Sequence, residues 1–315
     1  MGFVEGKIEE ERLFGDVVFP KTLFPSNKGE DLASAVAKER NHLSEVVKEH
    51  GAILFRGFDV GSAEDFSRVV EAFGWDEMGY IGATTRLKMA DRVFTANEAP
   101  IDQFINFHHE MALMKEFPSK IFFYCFEPAP VGGETSIVPS HVIVEKMEEQ
   151  MPKVMEKLTD VGLILCVSTA KDEDEDSGQV ISKTWKWLFK TDDKFEAEKR
   201  ARQKLSCTSI NFKDDGSAEF TYGPVHPVRE FGGKKAWFLP ILGYSANEKD
   251  VADTSFGDGS NVPQEAMDAY KGILEETCVD LKWKKGDVLL IDNLSVQHAR
   301  RPGKPPRAIY ASICK

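Results

Sequence analysis

His108 and Glu110 stand two residues apart, and this pair is the first place in the chain where chemistry can be read. On a β-strand, residues i and i+2 point to one face and the residue between them to the other. A strand here aims an imidazole and a carboxylate into one space and sends His109 to the opposite side. Phe104, Ile105 and Phe107 before the pair, with Met111 and Leu113 after it, wall that space with apolar surface. Two donors do not make a metal site, so a third must come from elsewhere. The run from Gly286 to Asn293 reads as a Gly-Asp turn feeding an apolar strand that closes at Asp292-Asn293, and His298 follows just after it. Two imidazoles and one carboxylate on one face of an ion leave three neighbouring positions open, the arrangement of non-haem Fe(II) oxygenases.

Two further stretches bear on that site. Pro305-Pro306-Arg307 opens the last strand, on which Ile309 and Ala311 share the face of Arg307. A guanidinium buried there needs an anion, and its flat fork suits a carboxylate. In Gly132-Gly133-Glu134-Thr135, Thr135 offers a hydroxyl to the same carboxylate. Arg300 and Arg301 are weaker candidates for that role, because a loop would hold them less firmly. Phe107, Asn106 and Trp237 are candidate pocket walls, and Asn97-Glu98 a candidate substrate contact. Arg56, in the apolar run Ala52–Phe58, reads as structural, in an ion pair or bonded to backbone, rather than as a substrate contact.

The elements that must carry these residues follow from periodicity and punctuation. Residues 1–28 read as extended and rich in turns. Helical spacing of apolar residues runs from Glu30 to His50 and stops at Gly51; Ser62 opens a second helix that Gly74 closes. Ala52–Phe58, Lys120–Phe126, Thr135–Val138 and Gly162–Thr169 read as strands, as do 206–212, 217–222, 235–242, 286–292 and 306–313. Ser140–Leu158 and 263–278 read as helices. The acidic run Asp172–Asp176 reads as a solvated loop. Many short strands late in the chain favour a barrel or jelly roll over a doubly wound sheet. The expected fold class is α+β with a mostly β core and flanking helices. No linker or repeat divides residues 1–315, so one domain is expected, with 1–90 a helical layer adding a strand to it.

Composition limits the partners. Lysine and arginine total 40 against 52 acidic residues, a formal net charge of −12. Nucleic acid and anionic membranes both select for a basic face, so neither is expected as a partner, whereas a small anion needs only a few pocket cations. Five scattered cysteines without a CxxC motif suggest free thiols in a reducing compartment. With no secretory h-region and no apolar run of bilayer length, a cytoplasmic location is expected.

Taken together, the Phe-His-x-Glu-Met segment holding His108 and Glu110, the Gly-Gly-Glu-Thr segment ending at Thr135, the Asp-Asn segment leading to His298, and the terminal Arg307 resemble the taurine/2,4-dichlorophenoxyacetate dioxygenase (TauD/TfdA) family. The Phe-His-x-Glu-Met form and the Phe-Arg-Gly-Phe strand are most similar to its clavaminate synthase-like plant branch. The resemblance runs from about Gly51 to the C-terminus. It implies a double-stranded β-helix (a cupin-like jelly roll), Fe(II), O2, and 2-oxoglutarate as co-substrate. By position it implies that His108, Glu110 and His298 hold iron at the catalytic centre, while Arg307, assisted by Thr135, clamps the distal carboxylate of 2-oxoglutarate. The implied reaction couples oxidative decarboxylation of 2-oxoglutarate to C–H oxidation of a small molecule. The chain departs from the taurine-type pattern at Ala311, where those members place a second arginine that grips an anionic substrate. Glu110 stands where many members carry Asp; the carboxylate at that position favours hydroxylation, desaturation or ring closure over halogenation. The residues alone also allow a non-catalytic cupin-like metal-binding protein, or a zinc hydrolase using the same three ligands. Arg307 and Thr135 argue against the hydrolase, which needs no dicarboxylate clamp.

Overall fold

The structure, a computed structural model, describes residues 2–80, 86–96, 99–171, 183–244 and 253–315. It is a mixed α+β, strand-rich arrangement in which two sheets face each other. The larger has eight strands in the order Phe3–Gly6, Lys21–Pro25, Ala52–Phe55, Val288–Asp292, Lys120–Glu127, Ala308–Cys314, Val93–Thr95 and Lys88–Ala90. The smaller has four, in the order Val279–Leu281, Thr135–Pro139, Val296–Arg300 and Ile105–His108.

Alternation along the large sheet's central strands builds two cores at once. Ile121, Phe123, Leu289, Ile291, Ile309 and Ala311 point inward, where they meet Ile137, Val279, Leu281 and Val296 of the smaller sheet. Their neighbours Phe122, Tyr124, Val288, Leu290 and Tyr310 point outward beneath the helices Leu32–His50 and Ala63–Ala72. Both helices carry side-chain caps that satisfy first-turn N–H groups. Asp31 accepts from the Ser34 N–H, and Ser62 from the Asp65 N–H. The outer face of the smaller sheet is covered by the helices Ser140–Gln150 and Gln264–Thr277 and by a third sheet of Ser209–Phe212, Ala218–Val225, Leu163–Ser168 and Asp253–Phe256.

Several boundaries differ from the expected ones. The extended reading of residues 1–28 resolves into strands: Phe3–Gly6 and Lys21–Pro25 join Ala52–Phe55, and with Lys88–Ala90 residues 1–90 give four strands to the large sheet rather than one. The helix expected over Ser140–Leu158 is two, Ser140–Gln150 and Pro152–Val161, broken at Met151 because Pro152 has no N–H to continue the ladder. The strand expected over 235–242 ends at Trp237, shortly before Pro240. Arg56 and Asp287 form a buried ion pair, Nη2 to Oδ2 at 2.6 Å, with Nε 3.0 Å from Oδ1. All five cysteines are free thiols. Among the described residues no helix is long and apolar enough to cross a membrane. Asn97-Glu98 and the run Asp172–Asp176 lie outside the described residues.

Candidate active site

The smaller sheet brings the distant donors together by strand pairing. His298 lies on Val296–Arg300 directly opposite His108 on Ile105–His108. Their rings are 4.3 Å apart between centroids. Glu110 is not on that strand, as the i, i+2 argument had it. The strand ends at His108, and the chain turns through Glu110 and a left-handed Met111, φ 58°. The turn still returns the carboxylate to the imidazoles, with Glu110 Oε2 3.6 Å from His298 Nε2 and 3.9 Å from His108 Nε2. The ligand atoms of His108, Glu110 and His298 lie within 4.8 Å of one another.

Local hydrogen bonds fix how each donor is presented. His108 Nδ1 donates to the Asn106 carbonyl at 2.7 Å, so in the neutral ring Nε2 carries the lone pair that faces the site. Burial, reinforced by the His298 ring, pushes the His108 imidazole down to about 4, so it is neutral and ready to ligate at ordinary pH. Burial pushes the Glu110 carboxyl up, but Arg86 beside it, helped by the two imidazoles, outweighs that and brings it down to about 2. Arg86 Nη2 donates to Glu110 Oε1 at 3.1 Å, and its guanidinium lies 3.8 Å from the centroid of the Tyr80 ring. Among the described residues no partner reaches the buried Nδ1 of His298. Two imidazoles and an ionised carboxylate converging on one point fit a divalent cation, for which cis donors about 2 Å from the ion would close to roughly 3 Å apart.

His109 faces away. It donates from Nδ1 to the Asn293 carbonyl, and its Nε2 lies 2.7 Å from the Ser140 hydroxyl. Asn293 also bonds the Glu110 backbone at both ends, accepting from its N–H at 2.8 Å and donating to its carbonyl at 3.1 Å. Asn293 reads in the sequence only as a turn residue; its clamp on Glu110 carries no local signature.

Beside the three donors lies a cavity of about 490 Å³ including its open mouth, whose walls include Phe123, Thr135, Arg300, Arg307 and Ile309. Gly132 and Gly133 adopt φ 67° and 70°, and a Cβ on Gly133 would lie 3.0 Å from Arg307 Cδ. The bare turn lets the arginine lie against it, and Arg307 Nε donates to the Gly133 carbonyl at 2.9 Å. Burial, with Arg300 nearby, pushes the Arg307 guanidinium down to about 10, so it remains a cation that a carboxylate would stabilise. Thr135 Oγ1 accepts from Trp283 Nε1 at 3.0 Å, which leaves its own proton to donate.

The expected weakness of Arg300 had the wrong reason. Arg300 is held on a strand, and its terminal nitrogens donate to the carbonyls of Ala99, Pro100 and Gln103. Arg301 pairs with Glu275 and Asp280 outside the cavity. None of Phe107, Asn106 and Trp237 lines the cavity; Phe107 and Trp237 are core, and Asn106 bonds the Leu242 carbonyl. Arg86, Tyr80 and Phe123 were not singled out from the sequence, because no spacing links them to the donors.

Comparisons with known proteins bear on the family of the chain. The pattern of the family described as "Taurine catabolism dioxygenase TauD, TfdA family" matches residues 22–311. A clavaminate synthase-like protein of Arabidopsis thaliana is 40% identical over 331 aligned residues, covering 99% of this chain and 98% of the relative. The dapdiamide synthesis protein DdaC of Enterobacter agglomerans is 26% identical, covering 86% of this chain and 84% of its own. Among solved structures, AAD-2 in complex with Mn(II) and N-oxalylglycine aligns with a TM-score of 0.57 at 13% identity, covering 100% of this chain and 97% of that one. PvcB, described as an Fe, alpha-ketoglutarate dependent oxygenase, aligns with a TM-score of 0.54 at 13% identity over 94% of this chain and 86% of its own. With the family pattern spanning nearly the whole chain and a relative at that identity end to end, the chain belongs to the TauD/TfdA family and is an Fe(II)/2-oxoglutarate-dependent dioxygenase.

Proposed function

We propose that His108, Glu110 and His298 hold the ferrous ion and that Arg307, with Thr135, receives the distal carboxylate of 2-oxoglutarate, for oxidation of a C–H bond in a small molecule by hydroxylation, desaturation or ring closure. In this reading residues 1–315 form one domain whose two facing sheets are a double-stranded β-helix, or jelly roll. The observation that carries the proposal is the convergence, on one cavity, of three candidate metal donors from distant segments with the Arg307 guanidinium, which has no carboxylate partner among the described residues. When bound, Fe(II) supplies the redox chemistry that couples decarboxylation of 2-oxoglutarate to succinate and carbon dioxide with oxidation of the substrate.

The protein's own residues orient and insulate. Arg307, braced on Gly133 through Nε, keeps its terminal nitrogens for a planar carboxylate, and the Thr135 proton adds a second direction of donation. Ile309 and Phe123 keep that end of the cavity apolar, so the charge-assisted bonds are made away from bulk water. Glu110 occupies the coordination position that a halide would need, which favours oxygenation-type outcomes over halogenation. Ala311, buried on the inner face, provides no cation for a substrate.

Glu110→Ala tests this reading. Anaerobic Fe(II) and 2-oxoglutarate should give the wild type a weak visible charge-transfer band, and O2 should then yield succinate. The variant should lose both, with turnover down by about a hundredfold or more. Wild-type succinate formation by the variant, or a colourless wild type that binds only zinc, would overturn the assignment.

A further inference from the structure

The two oxygens of the Glu110 carboxylate meet different neighbours. Oε2 faces both imidazoles, 3.6 Å from one Nε2 and 3.9 Å from the other. Oε1 accepts from Arg86 Nη2 at 3.1 Å. Arg86 is held on a second side by Tyr80, whose ring lies beneath its guanidinium, and its side chain is only 10% exposed. A cation so placed does more than balance charge, because it selects between the two oxygens.

That selection matters for the number of open positions. Glutamate is one methylene longer than aspartate, and carboxylates bind metals through one oxygen or two. Six positions around iron accommodate two imidazoles, one carboxylate oxygen, two donors from 2-oxoglutarate and one diatomic gas. If Glu110 swung Oε1 onto the ion as well, the carboxylate and the co-substrate would fill the shell and leave no place for the gas.

We propose that Arg86 is a positioning residue that holds Glu110 to one-oxygen coordination by engaging Oε1, and so preserves the third open position on the metal. The inference rests on the assignment of His108, Glu110 and His298 as metal ligands.

The test counts open positions rather than turnover. Wild type and Arg86→Leu are loaded anaerobically with Fe(II) and 2-oxoglutarate, then titrated with nitric oxide as a stand-in for O2. The high-spin iron–nitrosyl signal is read by electron paramagnetic resonance, per iron bound. Arg86→Leu should keep the charge-transfer band but lose about tenfold in nitric oxide affinity, the scale of one charge-assisted hydrogen bond. Arg86→Lys, which restores a cation, should recover most of it. If Arg86→Leu does not fold, Arg86→Gln, which keeps length and one donor group but no charge, should show a smaller loss in the same direction. Wild-type nitric oxide affinity in a folded Leu or Gln variant would overturn the proposal. A wild type without the charge-transfer band would instead overturn the metal-site reading, so the two failures are distinguishable.

Discussion

At the scale of single residues, the site holds two buried histidines with different tasks. His108 offers Nε2 to the cavity, while His109 spends both ring nitrogens on the protein, at the Asn293 carbonyl and the Ser140 hydroxyl. Burial pushes His109 down to about 3 and His108 to about 4, from an ordinary value near 6.5. Below that ordinary value the unfolded chain takes up protons that the folded chain refuses. Stability of the metal-free protein should therefore be fully present at pH 7 and above, and should fall as pH drops from about 6.5 toward 4. Each refused proton steepens the fall by about 1.4 kcal/mol per pH unit. Glu110, brought down to about 2, adds a loss of the same sign below its ordinary range. Urea unfolding of His109→Asn between pH 7.5 and 5 checks this. Its slope against pH should be shallower than wild type by about one proton's worth, and an unchanged slope would remove His109 from the account.

At the scale of elements, the turn between Val288–Asp292 and Val296–Arg300 does for the candidate metal site what no single strand does. Asn293, fully buried at its start, bonds the Glu110 N–H and carbonyl and the Pro118 carbonyl. Five residues later the chain, now crossed to the smaller sheet, delivers His298. The turn carrying Glu110 and the strand carrying His298 are thus fixed to each other rather than placed independently. Asn293→Ala leaves three buried polar partners unsatisfied, so it should cost roughly 2–4 kcal/mol of stability. It should also weaken metal binding by about 10–100-fold. Isothermal titration with Mn(II) at a temperature where the variant is folded separates the two effects; wild-type affinity there would make Asn293 purely structural. This element also shows where the sequence was legible. The strand that Arg307 leads into was readable because an apolar run after Pro305-Pro306 defines it locally, and His108 through its spacing from Glu110; the strand bearing His298 was not, because the apolar run stops at Asp292-Asn293 and the polar residues from Gln297 to Arg301 read as a loop. The Glu110 turn was not, because His-x-Glu fits a continuous strand equally well until Asn293, far along the chain, closes a turn around it. Arg86 was illegible for the same reason: its meaning lies in Tyr80 and Glu110, and no periodicity joins the three. Three strands of the third sheet were readable but Asp253–Phe256 and the separate layer were not, since pairing partners as distant as Leu163–Ser168 and Asp253–Phe256 leave no local mark.

At the scale of the whole molecule, the candidate metal donors and the proposed clamp come from opposite facing sheets. His108 and His298 lie on the smaller sheet, while Arg307 leads directly into Ala308–Cys314 of the larger. The chain carries a net charge of −12, yet among the described residues the cavity wall includes Arg86, Arg300 and Arg307 against one acid, Glu110. Metal would relieve the two facing imidazoles and the carboxylate on one sheet, and a dicarboxylate would tie that sheet to Arg307 on the other. Ligands that bind only the folded state stabilise it by about 2.7 kcal/mol when present at 100 times their dissociation constant. For a chain of this size that corresponds to a rise of several degrees in melting temperature, at roughly 2–4 °C per kcal/mol. Mn(II) alone should raise the melting temperature, and adding 2-oxoglutarate should raise it again. Arg307→Gln should keep the first increment and lose most of the second, whereas Glu110→Ala should lose both. A full second increment in Arg307→Gln would mean that the dicarboxylate does not bridge the sheets through this guanidinium, and the clamp would have to be sought among the other cations of the cavity.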